Sequence, residues 1–282
     1  MNSKNIARHL KGKLDKWTDS IEEAEIKEII KENAIVTGGA LVSLLNGEEP
    51  NDYDIYFRTE ESCFEVATYY AHLWNKDKSL EQVQVRNKSG RITCFISSSG
   101  IAEEEHFETE PFAEEAPKKK AKDPFKPKFF STNAISLSDK IQIIIRFYGE
   151  VEDIHKNYDF VHCTCSYDYK TGEVNLPSKA LECIINKELH YVGSKYPLCS
   201  IIRTRKFIGR GYHINAGQYL KMAFQFNELD LKNIDVLYDQ LAGVDSLYFG
   251  EFISHMEKLK DEEPEFKPDN AYYFDVINKI FG

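Results

Sequence analysis

Residues 3 to 32 are densely charged yet carry an apolar stripe. The segments "IARHLKGKLDKW" and "IEEAEIKEIIKE", the second with Ile21, Ile26, Ile29 and Ile30, predict two helices. They are separated near Thr18-Asp19-Ser20, which offers N-cap chemistry to the second. The pattern then shortens. "NAIVTGG" predicts a strand, "ALVSLLNG" a helix closed by Gly47, and "EEPN" a turn. "DYDIYFRT" predicts a strand and "ESCFEVATYYAHLWN" a helix. "QVQVRNKSGRITCFIS" alternates on both arms around Asn87 to Gly90 and predicts a hairpin.

The pattern lapses near residue 100. "GIAEEEHFETEPFAEEAPKKKAKDPFKPKFF" holds four of the nine prolines, an acidic run and then a lysine run. Such a composition predicts a solvated insertion loop over residues 100–130. Order returns with "NAISLSDKIQIIIRFYG", a strand or strand pair, the helix "EVEDIHKNY" and the strand "DFVHCTCSYDY" turning at "KTGE". From Pro177 onward the periodicity is mostly helical. No internal repeat shows. The expected fold class is α+β, a mixed sheet with flanking helices followed by a mostly α-helical C-terminal domain. The expected division is residues 1–32, 33–175 and 176–282.

Composition narrows the function. The 282 residues are 42% hydrophobic and 29% charged, enough for a core. The formal net charge of −10 argues against coating nucleic acid, which needs a basic surface, but leaves room for a local basic groove. The first residues hold no apolar run of a signal peptide, and no stretch approaches the ~18 apolar residues of a membrane span. Six scattered cysteines, mostly in apolar segments, fit reduced thiols, so a cytoplasmic setting is expected. "HCTC" at His162 to Cys165 lacks a second Cys/His pair at zinc spacing and reads as strand core.

The chemistry lies between residues 35 and 57. Asp52 and Asp54 occupy alternate positions of a strand, so they share a face about 7 Å apart. Two carboxylates aimed alike repel unless a cation lies between them, and magnesium takes such oxygens together with phosphates. Upstream, Gly38 and Gly39 end a strand and open a helix. That arrangement presents backbone N–H groups to phosphate and leaves room for its close approach. Each part alone is commonplace; strand, Gly-Gly, helix, turn and D-x-D in order are much less so.

"VTGGALVSLLNGEEPNDYDIYF" resembles the signature of the DNA polymerase β-like nucleotidyltransferase superfamily. Its members include CCA-adding enzymes, poly(A) polymerases, oligoadenylate-type synthases, antibiotic nucleotidyltransferases and small antitoxin-like proteins. The resemblance covers roughly residues 33 to 170 and implies two divalent ions, Mg²⁺ or Mn²⁺, held by Asp52 and Asp54. It also implies a third carboxylate on a neighbouring strand, flanked by hydrophobic residues. Asp159, between Tyr158 and Phe160, is that candidate, with Asp168 its competitor. Several RNA-specific members carry an arginine and an acid in the helix after the glycines; here stand Ala40, Leu41, Val42 and Ser43. That departure and the insertion set the chain apart, as a phage or viral lineage would.

In "LCSIIRTRKFIGR", helical spacing groups Arg203, Lys206 and Arg210 in one arc opposite Leu198, Ile201, Ile202 and Ile208. The stripe is either a solvated face or a set of phosphate contacts, while Arg205 points into the apolar arc. The histidines, His162 and His213 among them, form no general-base pair. The leading expectation is a metal-dependent nucleotidyltransferase. Gly38, Gly39, Arg203, Lys206 and Arg210 would bind a nucleoside triphosphate, and Asp52, Asp54 and Asp159 would hold metal and carry catalysis. The acceptor is a hydroxyl on RNA, protein or a small molecule. The alternative is a non-catalytic module binding nucleotide, RNA or protein on the same fold.

Overall fold

Two helices come first, where the apolar stripe places them: α1 (Ser3–Asp19) and α2 (Ala24–Asn33). In α1 the residues Ile6, Leu10, Leu14 and Trp17 fall on one buried face, and the Trp17 indole donates to the Tyr70 hydroxyl at 2.6 Å. The computed structural model describes residues 1–76, 82–96, 124–241, 246–263 and 269–281. These form two units, Met1–Lys156 with Cys163–Leu181, and Asn157–His162 with Glu182–Gly282. The division falls later than the expected 175/176, and six residues from Asn157 group with the helices.

The first unit continues through β1 (Ala34–Thr37), α3 (Gly39–Asn46), β2 (Tyr53–Phe57) and α4 (Glu60–Asn75). Gly47, at φ +80°, ends α3 in the left-handed conformation a glycine favours, and Thr59 with Ser62 forms a reciprocal cap on α4. Next come β3 (Val83–Lys88), β4 (Arg91–Ile96), β5 (Pro127–Phe130), β6 (Ala134–Leu137) and β7 (Ile141–Ile144). The unit closes with α5 (Val151–His155), β8 (Ser166–Asp168) and β9 (Val174–Asn175), and α6 (Ser178–Asn186) spans the division between the units. The main sheet runs β5-β6-β7-β2-β1-β8-β9, while among the described residues β3 and β4 pair only with each other. Only β2 and β7 run parallel within the main sheet.

Cross-strand register divides the sheet into two faces. Ile135, Ile143, Ile55, Val36 and Tyr167 align across five strands, and all are buried. One residue along, the opposite face carries a polar row: Ser136, Gln142, Asp54, Thr37, Ser166 and Asn175. In that row Thr37 stands across from Asp54, one step beyond the Val36–Ile55 pair. A polar line through the middle of a sheet departs from simple core packing.

The expected loop over residues 100–130 is corrected at its far end. Residues 97–123 lie outside the described residues, but Phe125 is only 6% exposed and Pro127–Phe130 form the edge strand β5. Phe130 holds that strand by packing edge-on to Trp74, with ring centroids 5.5 Å apart. The long strand expected over "DFVHCTCSYDY" is also corrected. Only Ser166–Asp168 is extended, while Val161–Cys163 make one tight helical turn. Phe160 instead bridges to Tyr191, and its neighbour His162 packs against Phe207 and Tyr212 at 4.4 and 4.7 Å.

The second unit contains α7 (Pro197–Ile208), α8 (Ala216–Phe226), α9 (Ile234–Leu241), α10 (Ser246–Glu262) and α11 (Asn270–Phe281). Leu237, Phe252, Met256 and Val276 form a buried cluster. The rotation of α7 differs from expectation. Cys199, Ser200, Thr204 and Phe207 are buried, while Ile201 and Ile208 are 48% and 46% exposed and Arg205 faces solvent. Small polar residues can face inward because the helix satisfies them: the Thr204 hydroxyl donates to the Ser200 carbonyl at 2.7 Å. Among the described residues no helix is long and apolar enough to cross a membrane. All six cysteines are free thiols, five of them buried.

Candidate active site

Antiparallel pairing of β1 and β2 brings the C-terminal end of one beside the N-terminal end of the other. Thr37, Gly38 and Gly39 therefore lie at the same end of the sheet as Asp52 and Asp54. Gly38 adopts φ +92°, ψ −142°, a conformation essentially reserved for glycine, and α3 starts at the next residue. A Cβ added at Gly39 would meet nothing within 4 Å, so no described atom crowds that side of the turn. Asp52 is exposed and precedes β2; Asp54 is half-buried within it. Only Asp54 stands on the strand itself, so the expected shared face of the pair rests on Asp52 continuing the extended path into β2. Lys140 secures the approach to Asp52, donating to Glu49 Oε1 at 2.6 Å and to the Pro50 carbonyl at 2.8 Å.

Behind the glycine turn lies a histidine. The Thr37 hydroxyl donates to the Cys165 carbonyl at 2.9 Å and also contacts His155 Nε2 at 2.7 Å. The hydroxyl thus ties the end of β1 both to the backbone of Cys165 and to the ring of His155. Burial pushes the His155 pKa down to about 4, against a small opposing pull from Glu152. His155 is thus a neutral ring whose hydrogen bond with Thr37 anchors the residue before Gly38. Neither Thr37 nor His155 shows in a sequence reading, because α5 is one turn long and has no periodicity to mark its inner face. Gln142, beside Asp54, is hidden similarly inside "IQIII".

The third carboxylate is not where a neighbouring strand would supply it. The strand neighbours of β2 are β1, reading AIVT, and β7, reading IQII; neither contains an acid. Asp159 belongs to the second unit, is 6% exposed, and accepts from Arg203 Nε at 2.7 Å. Its competitor Asp168, on β8, accepts from Arg58 at 2.5 Å. The basic stripe is divided too. Arg203 turns inward to Asp159, Lys206 is exposed on α7, and Arg210 is exposed in the turn beyond the helix end. The structure thus gathers Gly38, Gly39, Asp52 and Asp54 in one unit and leaves Asp159, Arg203, Lys206 and Arg210 in the other. Among the described residues no three of His, Cys, Asp and Glu gather as a metal cluster.

A family model described as "Gabija anti-defense 2 family protein" matches residues 8–187, well over half of the chain. The chain belongs to the Gabija anti-defense 2 family. The matched span takes in the glycine turn, both aspartates and the whole main sheet. A curated member, "Gabija anti-defense 2" of Bacillus phage SPbetaL7, is 24% identical over 268 residues, covering 92% of this chain and 55% of its own length. The chain therefore spans about half the length of that relative. Among solved structures, a CCA-adding enzyme in complex with CTP aligns with TM-score 0.46 at 12% identity, over 98% of this chain and 68% of its own. The Thermotoga maritima CCA-adding enzyme complexed with tRNA aligns with TM-score 0.42 at 12% identity, over 94% and 68%.

Proposed function

We propose that the chain is a metal-dependent nucleotidyltransferase of phage lineage, acting in the cytoplasm in the anti-defence setting its family name states. One observation carries the chemistry: the Gly38-Gly39 turn, the start of α3 and the Asp52/Asp54 pair converge at one end of one sheet. Backbone N–H groups at that turn would hold the triphosphate, with Gly39 leaving its side open to approach. Asp52 and Asp54 supply hard carboxylate oxygens, and Gln142 places a neutral oxygen beside Asp54. This donor set fits Mg²⁺ or Mn²⁺ completed by phosphate oxygens and water. Two such ions, when bound, would offset the charge developing on the attacking and leaving oxygens. Neutral His155, hydrogen-bonded to the Thr37 hydroxyl, fixes Thr37 and with it the entry to the turn. Asp159 in this reading holds Arg203 rather than metal, and the exposed Lys206 and Arg210 are anion contacts on their own unit.

A second reading is favoured by the acid-free strands flanking β2: a module that binds metal and nucleotide without transferring anything. Calorimetry with Mg²⁺ and a non-hydrolysable triphosphate tests what the two readings share. The parent should bind, and the Asp52→Ala/Asp54→Ala variant should lose binding while still unfolding as one cooperative transition. Equal binding by the double variant would overturn both. Incubation of the parent with each labelled triphosphate, Mg²⁺ or Mn²⁺, and pools of RNA and protein then separates them. Label on an acceptor, reduced ~10²-fold or more in Asp54→Asn, supports the enzyme; none supports the module.

A further inference from the structure

The β3–β4 hairpin has two contrasting faces. Val83, Ile92 and Cys94 are buried on the inner face, which packs against α4. The outer face is set by the pairs Gln84–Phe95, Arg86–Thr93 and Lys88–Arg91. It thus presents three exposed cations and an exposed phenyl ring, with no carboxylate of its own, on a chain of net charge −10. None of the three cations forms an ion pair with a described residue.

That face is held in an unfavourable arrangement. Ser89 and Gly90 both have positive φ, +51° and +80°, so a two-residue loop sets Lys88 and Arg91 directly opposite each other. Like charges in that position destabilise a hairpin. The tip is nevertheless fixed. Asn87 donates to Glu60 Oε1 at 2.5 Å, and the Tyr148 hydroxyl contacts Glu60 Oε2 at 2.9 Å and the Gly90 carbonyl at 2.7 Å. Further along, Phe95 is 50% exposed, with the Arg86 guanidinium 4.2 Å over one side of its ring. Arg86 and Lys88 stand about 7 Å apart along β3, Arg91 lies directly across from Lys88, and this rigid surface ends in an aromatic ring.

We propose that the outer face of this hairpin binds a single strand of nucleic acid. Arg86, Lys88 and Arg91 take successive backbone phosphates, and an unpaired base stacks on Phe95. Polyanions in general would satisfy the cations. The exposed ring selects a ligand with flat faces, which unpaired bases offer and a duplex conceals. The inference stands on the hairpin alone and does not require chemistry at Asp52 and Asp54; if that chemistry occurs, the strand is the natural acceptor.

Fluorescence anisotropy without metal or triphosphate tests it, using labelled twelve-nucleotide oligouridylate and oligothymidylate, a duplex of the same length, and polyglutamate. The parent should bind single strands at low salt at least tenfold more tightly than duplex or polyglutamate, and the two oligomers then report sugar preference. Arg86→Gln/Lys88→Gln/Arg91→Gln should weaken binding tenfold or more and flatten the logarithmic salt dependence by about 2, from a slope near 0.7 per phosphate contact. Phe95→Ala should lose about tenfold without changing that slope, and Phe95→Trp should retain affinity. The same charge change on α1, in Lys4→Gln/Arg8→Gln/Lys16→Gln, should stay within twofold. Lack of single-strand binding, indifference to Phe95→Ala, equal binding of duplex or polyglutamate, or an equal loss in the α1 variant would each overturn the proposal.

Discussion

A carboxylate that is 6% exposed needs a partner, and Asp159 finds it 44 residues away in Arg203. Nothing in the spacing of "NYDFVHC" announces that pairing, because hydrophobic neighbours suit an active-site strand and a buried ion pair equally. Replacing either partner alone strands a charge or a donor in a half-buried place. Asp159→Asn and Arg203→Gln should each cost about 1–3 kcal/mol in urea unfolding, and the double variant less than their sum, with a coupling of about 1 kcal/mol or more. Additive losses would mean that the pair is incidental. A metal-holding Asp159 predicts the opposite pattern: unchanged stability and loss of transfer. That Asp52 and Asp54 stand at the glycine end of the sheet could be read from local order along the chain; the Thr37–His155 contact could not, because it spans 118 residues.

At the level of elements, the sequence showed most clearly where period and punctuation agree. The Gly38 turn, the Gly47 helix end and the hairpin around Ser89-Gly90 are all marked by residues that tolerate positive φ. Strand β5 was obscured because it follows a run of lysines and prolines that reads as loop. Helix α7 was found but rotated, since its isoleucines are not its buried face. That rotation is measurable. Ile201→Lys and Ile208→Lys should each change stability by no more than about 0.5 kcal/mol, whereas Phe207→Ala, which removes the ring against His162, should cost about 3 kcal/mol in chemical denaturation. The reverse order would restore the rotation that hydrophobic spacing suggests.

Over the whole molecule, burial holds a histidine far below its usual pKa in each unit. Burial lowers His155 to about 4 in the first unit, and burial with Arg210 and Lys187 lowers His162 to about 3 in the second. In the unfolded chain both titrate near 6.5, so below that pH the unfolded state binds protons that the folded state refuses. Stability is therefore fully present above about 6.5 and declines as pH falls toward 4. His162 alone accounts for up to about 3 kcal/mol, from roughly 1.4 per pH unit. Thermal melts from pH 7 to 4 should show that decline, and His162→Gln should flatten it; an unchanged slope in the variant would show that another group is responsible. A slower process is written into the sheet order. Strand β2 ends at Phe57, but its parallel neighbour begins at Ile141, so closing that pair must wait for more than eighty intervening residues. During synthesis the chain would display both aspartates, with β1 already paired, while the other side of β2 stayed open. A product stopped before Ile141 would keep the whole glycine and aspartate signature yet leave its central strand as a bare edge, ready to recruit strands from other chains.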